Sequence, residues 1–304
     1  MTSLIRVLPE VADALRARRP VVALESSVFA QGLPAPENRE AATRMIAAVE
    51  RGGAVAAITA VAAGRPTLGL EAHELERFLA RAGVRKVSAR DLAAATVARA
   101  DGATTVAASI ALASAGGIAV FATGGIGGVH REPPFDESAD LVEMSRTPVV
   151  VVCAGAKSIL DLPATWERLE TLGIPVVGYG TDELPGFYCA ETGIRLDARA
   201  DSAEEVAAIY RAHRALGRTQ ALLVVQPPPP ADALPRATVE RAVASAQQEV
   251  AADVAITGAK VTPYLLAALT RLTGGSSLRA NVSLLEANAA LGAEIASALA
   301  IAGV

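Results

Sequence analysis

The chain has 304 residues, 52% of them hydrophobic, enough to bury one large α/β core or two smaller ones. A net charge of −4 and an aromatic content of 3% argue against a polyanion-binding surface or base-stacking platforms. No nucleic-acid partner is expected, while a small phosphorylated ligand stays open. Two cysteines, Cys153 and Cys189, without a CxxC or Cys/His cluster, exclude a disulfide framework and argue against structural zinc. Cys153 sits in an apolar run and reads as a small buried hydrophobe.

Taken in order, the N-terminal MTSLIRVLPEVADALRARRP has neither an apolar signal core nor a small-residue cleavage site. No apolar stretch of membrane-spanning length is free of glycine, proline and charge, so a cytoplasmic protein with no membrane partner is expected. PVVALESS (20–27) reads as a strand, followed by a helix at 37–51 that Pro36 opens and Gly52-Gly53 closes. AVAAITAV (54–61) is the next strand, then helices at 71–82 and 103–116. IAVFAT (118–123) and PVVVVCAG (148–155) are strands, and 156–172 reads as a helix. PVVGYG (175–180), a helix at 202–216 with a Ser202/Glu205 capping box, ALLVVQP (221–227), a rigid proline spacer at 227–230 and a helix at 236–251 continue the alternation. The remaining Ala/Leu-rich stretch is helical by pattern. The whole predicts an α/β fold, a mostly parallel central sheet flanked by helices on both faces (α/β/α). No repeat or linker divides it, so residues 1–304 are read as a single domain.

Polar residues gather at the carboxyl ends of these strands, where open parallel sheets bind ligands. Glu25 closes the first strand; it is either a buried general acid/base or an edge carboxylate facing water. Thr123-Gly124-Gly125-Ile126-Gly127-Gly128-Val129-His130-Arg131 follows the third strand. Its glycines and donors suit an anion, although GK[ST] is missing and no helix opens at once; a plain tight turn is the alternative. Asp136 and Asp140 are four apart and share a face if the segment is helical. They would hold a hard divalent ion, manganese or magnesium, or else Asp136 simply caps a helix. Lys157, in CAGAKSILDL, is expected on the first turn of a helix, where the positive dipole end and burial favour a neutral amine. A nucleophile, a phosphate-binding cation and a solvated lysine all fit that placement. Lys86, in VRKVSARDL, is by itself more often a solvated charge.

The segments VVALESS, RKVSARDL, GATTVAAS, FATGGIGGVHR, FDESADL, VVCAGAKSILDL and LTGGSSLRAN resemble those of the pseudouridine-5′-phosphate glycosidase family, in order, from about residue 8 onward. The resemblance implies an enzyme that reversibly cleaves the C–C glycosidic bond of pseudouridine 5′-phosphate to uracil and ribose 5-phosphate. It also implies a manganese cofactor and a homotrimer of α/β/α fold. Carried over by position, Lys157 matches the nucleophile that forms a Schiff base with ring-opened ribose, and Glu25 the acid/base. Asp136 matches the manganese ligand, Ser138, Ala139 and Asp140 a substrate-contacting stretch, and Lys86 and Val106 two further substrate positions. Thr123, His130 and Arg131 lie in the loop that would face phosphate or ribose, and Asn281 would contact phosphate or uracil. Departures are Ser27 where the pattern carries Thr, Gln31 where it often carries His, and a short REPPF loop. A Schiff-base aldolase or isomerase would also use Lys157 but needs no divalent ion; a non-catalytic sugar-phosphate-binding regulator would keep binding without the lysine chemistry.

Overall fold

A computed structural model describes residues 4–131, 136–253, 256 and 261–301, so residues 132–135 of the REPPF loop lie outside the described part. The first half runs β1 (Arg6–Val7), α1 (Pro9–Arg16), β2 (Val21–Glu25), α2 (Glu37–Arg51), β3 (Val55–Ala62), β4 (Arg65–Leu68), α3 (Ala72–Ala80), β5 (Arg85–Val87), α4 (Leu92–Val97), β6 (Gly102–Thr104), α5 (Val106–Ala115) and β7 (Val120–Ala122). The second runs α6 (Ala139–Met144), β8 (Val150–Cys153), α7 (Leu162–Thr171), β9 (Val176–Tyr179), β10 (Arg199–Ala200), α8 (Ala203–Ala215), β11 (Leu222–Val225), α9 (Arg236–Ala252), α10 (Val261–Leu272) and α11 (Ser276–Ile301).

These strands make one sheet in the order β1-β4-β3-β2-β7-β8-β11-β9-β10, with β6 paired to β3 and β5 to β6. Pairing is parallel except where β3 meets β4 and β6. The α/β expectation therefore holds. All six runs read as strands contain one, because their residues are buried on both faces: Val150 to Cys153 and Leu222 to Val225 are each 0% exposed.

β2 and β7 lie side by side, with Leu24 opposite Ala122. The chain leaves β2 for β3 on one side, and leaves β7 for β8 on the other. The connections therefore diverge above this pair of carboxyl ends and open a crevice there. Below it, four fully buried hydroxyls lock β2, β3, β6 and α5 together: Ser26 Oγ donates to Thr59 O at 2.7 Å and accepts from Thr104 N at 2.9 Å, and Thr59 Oγ1 donates to Ser109 Oγ at 2.8 Å.

Two helix expectations need correction. In 103–116, β6 takes the first residues, because Ala103 pairs with Ala60 of β3 and Lys86 of β5, and the helix begins only at Val106. In 156–172, the helix begins at Leu162. Residues 156–161 form a turn tied to the glycine loop: Lys157 N donates to Ile126 O at 3.1 Å and Asp161 N to Val129 O at 2.9 Å. The Asp161 side chain then caps α7 by accepting from Ala164 N at 2.9 Å.

α11 is long and apolar enough to cross a membrane by length and composition. It is instead a core helix, packed on α2, α8, β2, β7 and β8. Gly292 lets it approach closely, since a Cβ there would stand 3.2 Å from Ala122 and 3.3 Å from Val22.

Candidate active site

The crevice holds a cavity of about 380 Å³ whose walls include Glu25, Lys86, His130, Asp136, Asp140 and Lys157. A smaller cavity shares Glu25, Ser27, Lys86 and Lys157 with it and adds Gln31, Phe187 and Asn281. The glutamate and the lysine thus stand on the wall between two chambers.

Glu25 ends β2 and is 5% exposed. Its carboxylate accepts from Ser27 Oγ at 2.5 Å and from Thr123 Oγ1. Burial without such donors would be costly; with them, the carboxylate is fixed in direction and open to the chamber. Thr123 follows β7, is 0% exposed and serves Glu25 from behind. Ser27 keeps the hydroxyl that a threonine would supply at this position.

Lys157 follows β8 through Gly155, whose φ of +87° turns the chain sharply. It lies five residues before α7, so the helix-dipole argument does not reach it. Lys86, on β5, is exposed by area because the chamber mouth is open, yet protein atoms crowd its ammonium. That desolvation lowers its pKa first and the nearby Lys157 second, against the opposing pull of Glu25 and Asp140.

Several main-chain N–H groups of the glycine loop are bonded within the protein. Thr123 N donates to Val152 O, Ile126 N to Gly155 O and His130 N to Asp136 O. Gly127 N is taken by Asp140 Oδ2 at 2.9 Å, and Val129 N by Thr165 Oγ1 at 2.9 Å. The glycines permit contact: a Cβ at Gly127 would stand 2.2 Å from Ser138 Oγ, and one at Gly128 2.4 Å from Thr165 Oγ1. Gly127→Ala is accordingly expected to lower stability by about 1–3 kcal/mol in denaturant unfolding, through displacement of Ser138 and Asp140. An unchanged midpoint would show that this wall yields freely.

Asp136 and Asp140 do not share a helix face. Ser138 caps α6 by accepting from Asp140 N at 3.2 Å, which leaves Asp136 before the helix. Asp140 is 5% exposed, with Oδ1 accepting from Ala107 N at 2.9 Å and Oδ2 from Gly127 N. Asp136 is half exposed, on the chamber wall, with His130 Nδ1 3.9 Å from its Oδ2. Among the described residues no three His, Cys, Asp or Glu side chains gather as a metal cage. One carboxylate beside open water still fits a hard divalent ion, which keeps most of its own waters.

Val106, Ser138 and Ala139 also line the larger chamber, and Asn281 the smaller one. Arg131 is not brought in: its Nε donates to Leu160 O at 3.2 Å, and it lines a separate cavity with Ser158, Cys189 and Arg236. Sequence reasoning missed Ser88 and Thr105, which line the larger chamber, and Phe187, held at φ +68° against the glycine loop. Only a loop crossing from a distant strand brings Phe187 here, so no local pattern marks it. Cys153 is fully buried, and burial pushes its thiol up to about 12, which makes it inert at neutral pH.

A carboxylate and an amine on one cavity, at the switch point of a doubly wound sheet, define an α/β enzyme for a small ligand. Residues 10–298 match the family described as indigoidine synthase A like protein. The chain is 62% identical over 294 residues to the pseudouridine-5′-phosphate glycosidase of Gemmatimonas aurantiaca, covering 97% of this chain and 96% of that one. It is 50% identical over 303 residues to that of Herpetosiphon aurantiacus, covering 98% and 99%. The chain belongs to this glycosidase family. Its fold matches the crystal structure of the prealnumycin C-glycosynthase AlnA in complex with ribulose 5-phosphate, at a TM-score of 0.92 and 40% identity over 99% of both chains. An indigoidine synthase A-like protein from Thermotoga maritima matches at a TM-score of 0.89 and 37% identity, covering 97% and 96%.

Proposed function

We propose that this enzyme reversibly cleaves pseudouridine 5′-phosphate to uracil and ribose 5-phosphate through a Schiff base on Lys157. The observation that carries the reading is the joint placement of Glu25 and Lys157 on the wall between two chambers, one for each half of the substrate. The names of the relatives support the substrate, and the ribulose 5-phosphate complex of AlnA supports a five-carbon sugar phosphate.

A C–C bond to uracil lacks an ordinary leaving group, so the departing base needs an electron sink at the anomeric carbon. The neutral amine of Lys157 attacks C1′. The C1′–O4′ bond breaks, and O4′ takes a proton from Glu25. Glu25, now ionised, takes a proton from the new ammonium; the freed nitrogen lone pair forms the C1′=N iminium as the C1′–C5 bond breaks, and Glu25 places that proton on C5 of uracil. Water adds to the iminium, with Glu25 accepting its proton, and ribose 5-phosphate leaves with the lysine restored. Net consumption is one water. Lys86, Ser88, Thr105 and Ser138 hold the phosphate in the larger chamber, with the α5 amino end at Val106 beside them. Asp136 would hold a manganese or magnesium ion with waters, which supplies positive charge near the anionic substrate when bound.

The test is to incubate the protein with pseudouridine 5′-phosphate and manganese, reduce with borohydride and map the adduct by mass spectrometry. A ribose-phosphate adduct on Lys157 with uracil released is the expected result. No uracil release, with or without metal, would overturn the reading.

Because the pKa of Lys86 is lowered, its ammonium is lost at a lower pH than an ordinary lysine's. Ribose 5-phosphate binding is therefore expected to weaken as pH rises through that lowered value, and Lys86→Met to remove this limb while raising Kd about 10–100-fold. Calorimetric titration across pH checks it; a wild-type affinity flat up to 10.5, the ordinary lysine value, would count against it.

A further inference from the structure

Gln31 lies in the helical turn Val28–Gly32 that follows Glu25, and it lines the smaller chamber. Its Nε2 donates to Val84 O at 3.3 Å, while its Oε1 is buried with no partner among the described residues. Turning the amide over would set Oε1 against the Val84 carbonyl, so the orientation is fixed. Folded proteins keep few buried acceptors without a donor, and one beside a reactive centre points to a ligand that brings the donor. Asn281 of α11 faces the same chamber; it is 7% exposed, and its amide has no protein partner among the described residues.

The chamber itself selects against charge. Val28, Gly124, Gly125, Phe187 and Leu266 give it apolar walls, and the cations lining it, Lys86 and Lys157, stand on the wall shared with the larger chamber. A phosphate finds its partners on the other side; a flat neutral heterocycle fits here. Gln31, Gly32, Leu266 and Asn281 also line an outer groove of about 340 Å³ that reaches Arg81 and Tyr188.

We propose that Gln31 is a specificity-determining residue that reads the base: its side-chain carbonyl accepts a ring N–H of uracil bound between Lys157 and Asn281. The inference rests on the glycosidase reading. With C5 of uracil at the lysine, the far edge of the ring presents N–H, C=O and N–H in turn. Gln31 Oε1 supplies an acceptor for one N–H, and the Asn281 amide a donor for the carbonyl. A base that carries no N–H at that edge leaves Oε1 unpaired and is rejected.

Gln31→Met keeps length and removes the acceptor. In the synthetic direction, kcat/KM for uracil is expected to fall about 10–100-fold, while KM for ribose 5-phosphate and the yield of its borohydride-trapped Lys157 adduct stay at wild-type values. On wild-type protein, of 1-methyluracil and 3-methyluracil, the isomer that blocks the N–H facing Gln31 is expected to bind at least about tenfold more weakly than uracil, and Gln31→Met to narrow that gap. Equal loss for both substrates would mark a merely structural residue and overturn the proposal, as would an unchanged KM for uracil. Equal binding of uracil and both methyl isomers to the wild type would overturn it even if the variant failed to fold. Absence of a trapped adduct in the wild type would sink the glycosidase reading itself, a result that does not resemble any of these.

Discussion

Lys157→Ala is expected to cut uracil release at least about 10⁴-fold while ribose 5-phosphate still binds. The loss is chemical and not a failure to fold. The turn carrying Lys157 is held by main-chain bonds, Lys157 N to Ile126 O and Leu160 N to Lys157 O, and both survive the substitution. Phosphate binding is expected to persist because Lys86, Ser88, Thr105 and Ser138 remain. Lys157→Arg is expected to fail as well, since a guanidinium does not give up its proton and has no lone pair to form an imine. The measurement is single-turnover uracil release together with borohydride trapping. A variant that kept more than about a hundredth of wild-type turnover would remove the Lys157 amine from the mechanism.

The parts of the fold legible in the sequence are those whose burial is complete. Strands such as VVVVC and ALLVV read as strands because no face of them meets water. The short strands were not legible. β4 carries Pro66 and does not look like a strand until a neighbour pairs with it. β6 was hidden inside a helical pattern, because Gly102, Ala103 and Thr104 pair with β3 and β5 through long-range bonds no local window contains. Lys157 follows the same rule: AKSILDL has helical composition, but the glycine loop takes the N–H groups of Lys157 and Asp161.

The site divides along the same line. Glu25 and Lys157 were legible because a charge at the tip of an apolar strand is conspicuous. Asp140 was legible as a residue but not as a partner. Its two oxygens tie Gly127 to Ala107, so a carboxylate that looked free for a cation joins the glycine loop to the start of α5. Ser27, Thr105 and Phe187 carry no such mark. Their roles arise from a hydroxyl or ring arriving beside a group that sequence leaves dozens of residues away. The glycine run was legible as important, but not that its small residues admit Ser138, Thr165 and Phe187.

Glu25→Gln is expected to lower kcat for pseudouridine 5′-phosphate about 10²–10⁴-fold with little change in stability. Glutamine has the same shape. Its one remaining oxygen can accept from Thr123, and the Ser27 hydroxyl can turn to accept from the new amide, so both anchors of Glu25 persist. What disappears is the proton that ring opening needs at O4′. Free ribose 5-phosphate already equilibrates with its open aldehyde, so its adduct on Lys157 needs no such proton to open a ring. The variant is therefore expected to trap ribose 5-phosphate under borohydride while releasing uracil slowly from the nucleotide. That split separates an acid/base from a residue that merely positions the lysine, whose loss would depress both readouts together. Loss of trapping in parallel with uracil release would assign Glu25 to positioning and leave the proton to another donor.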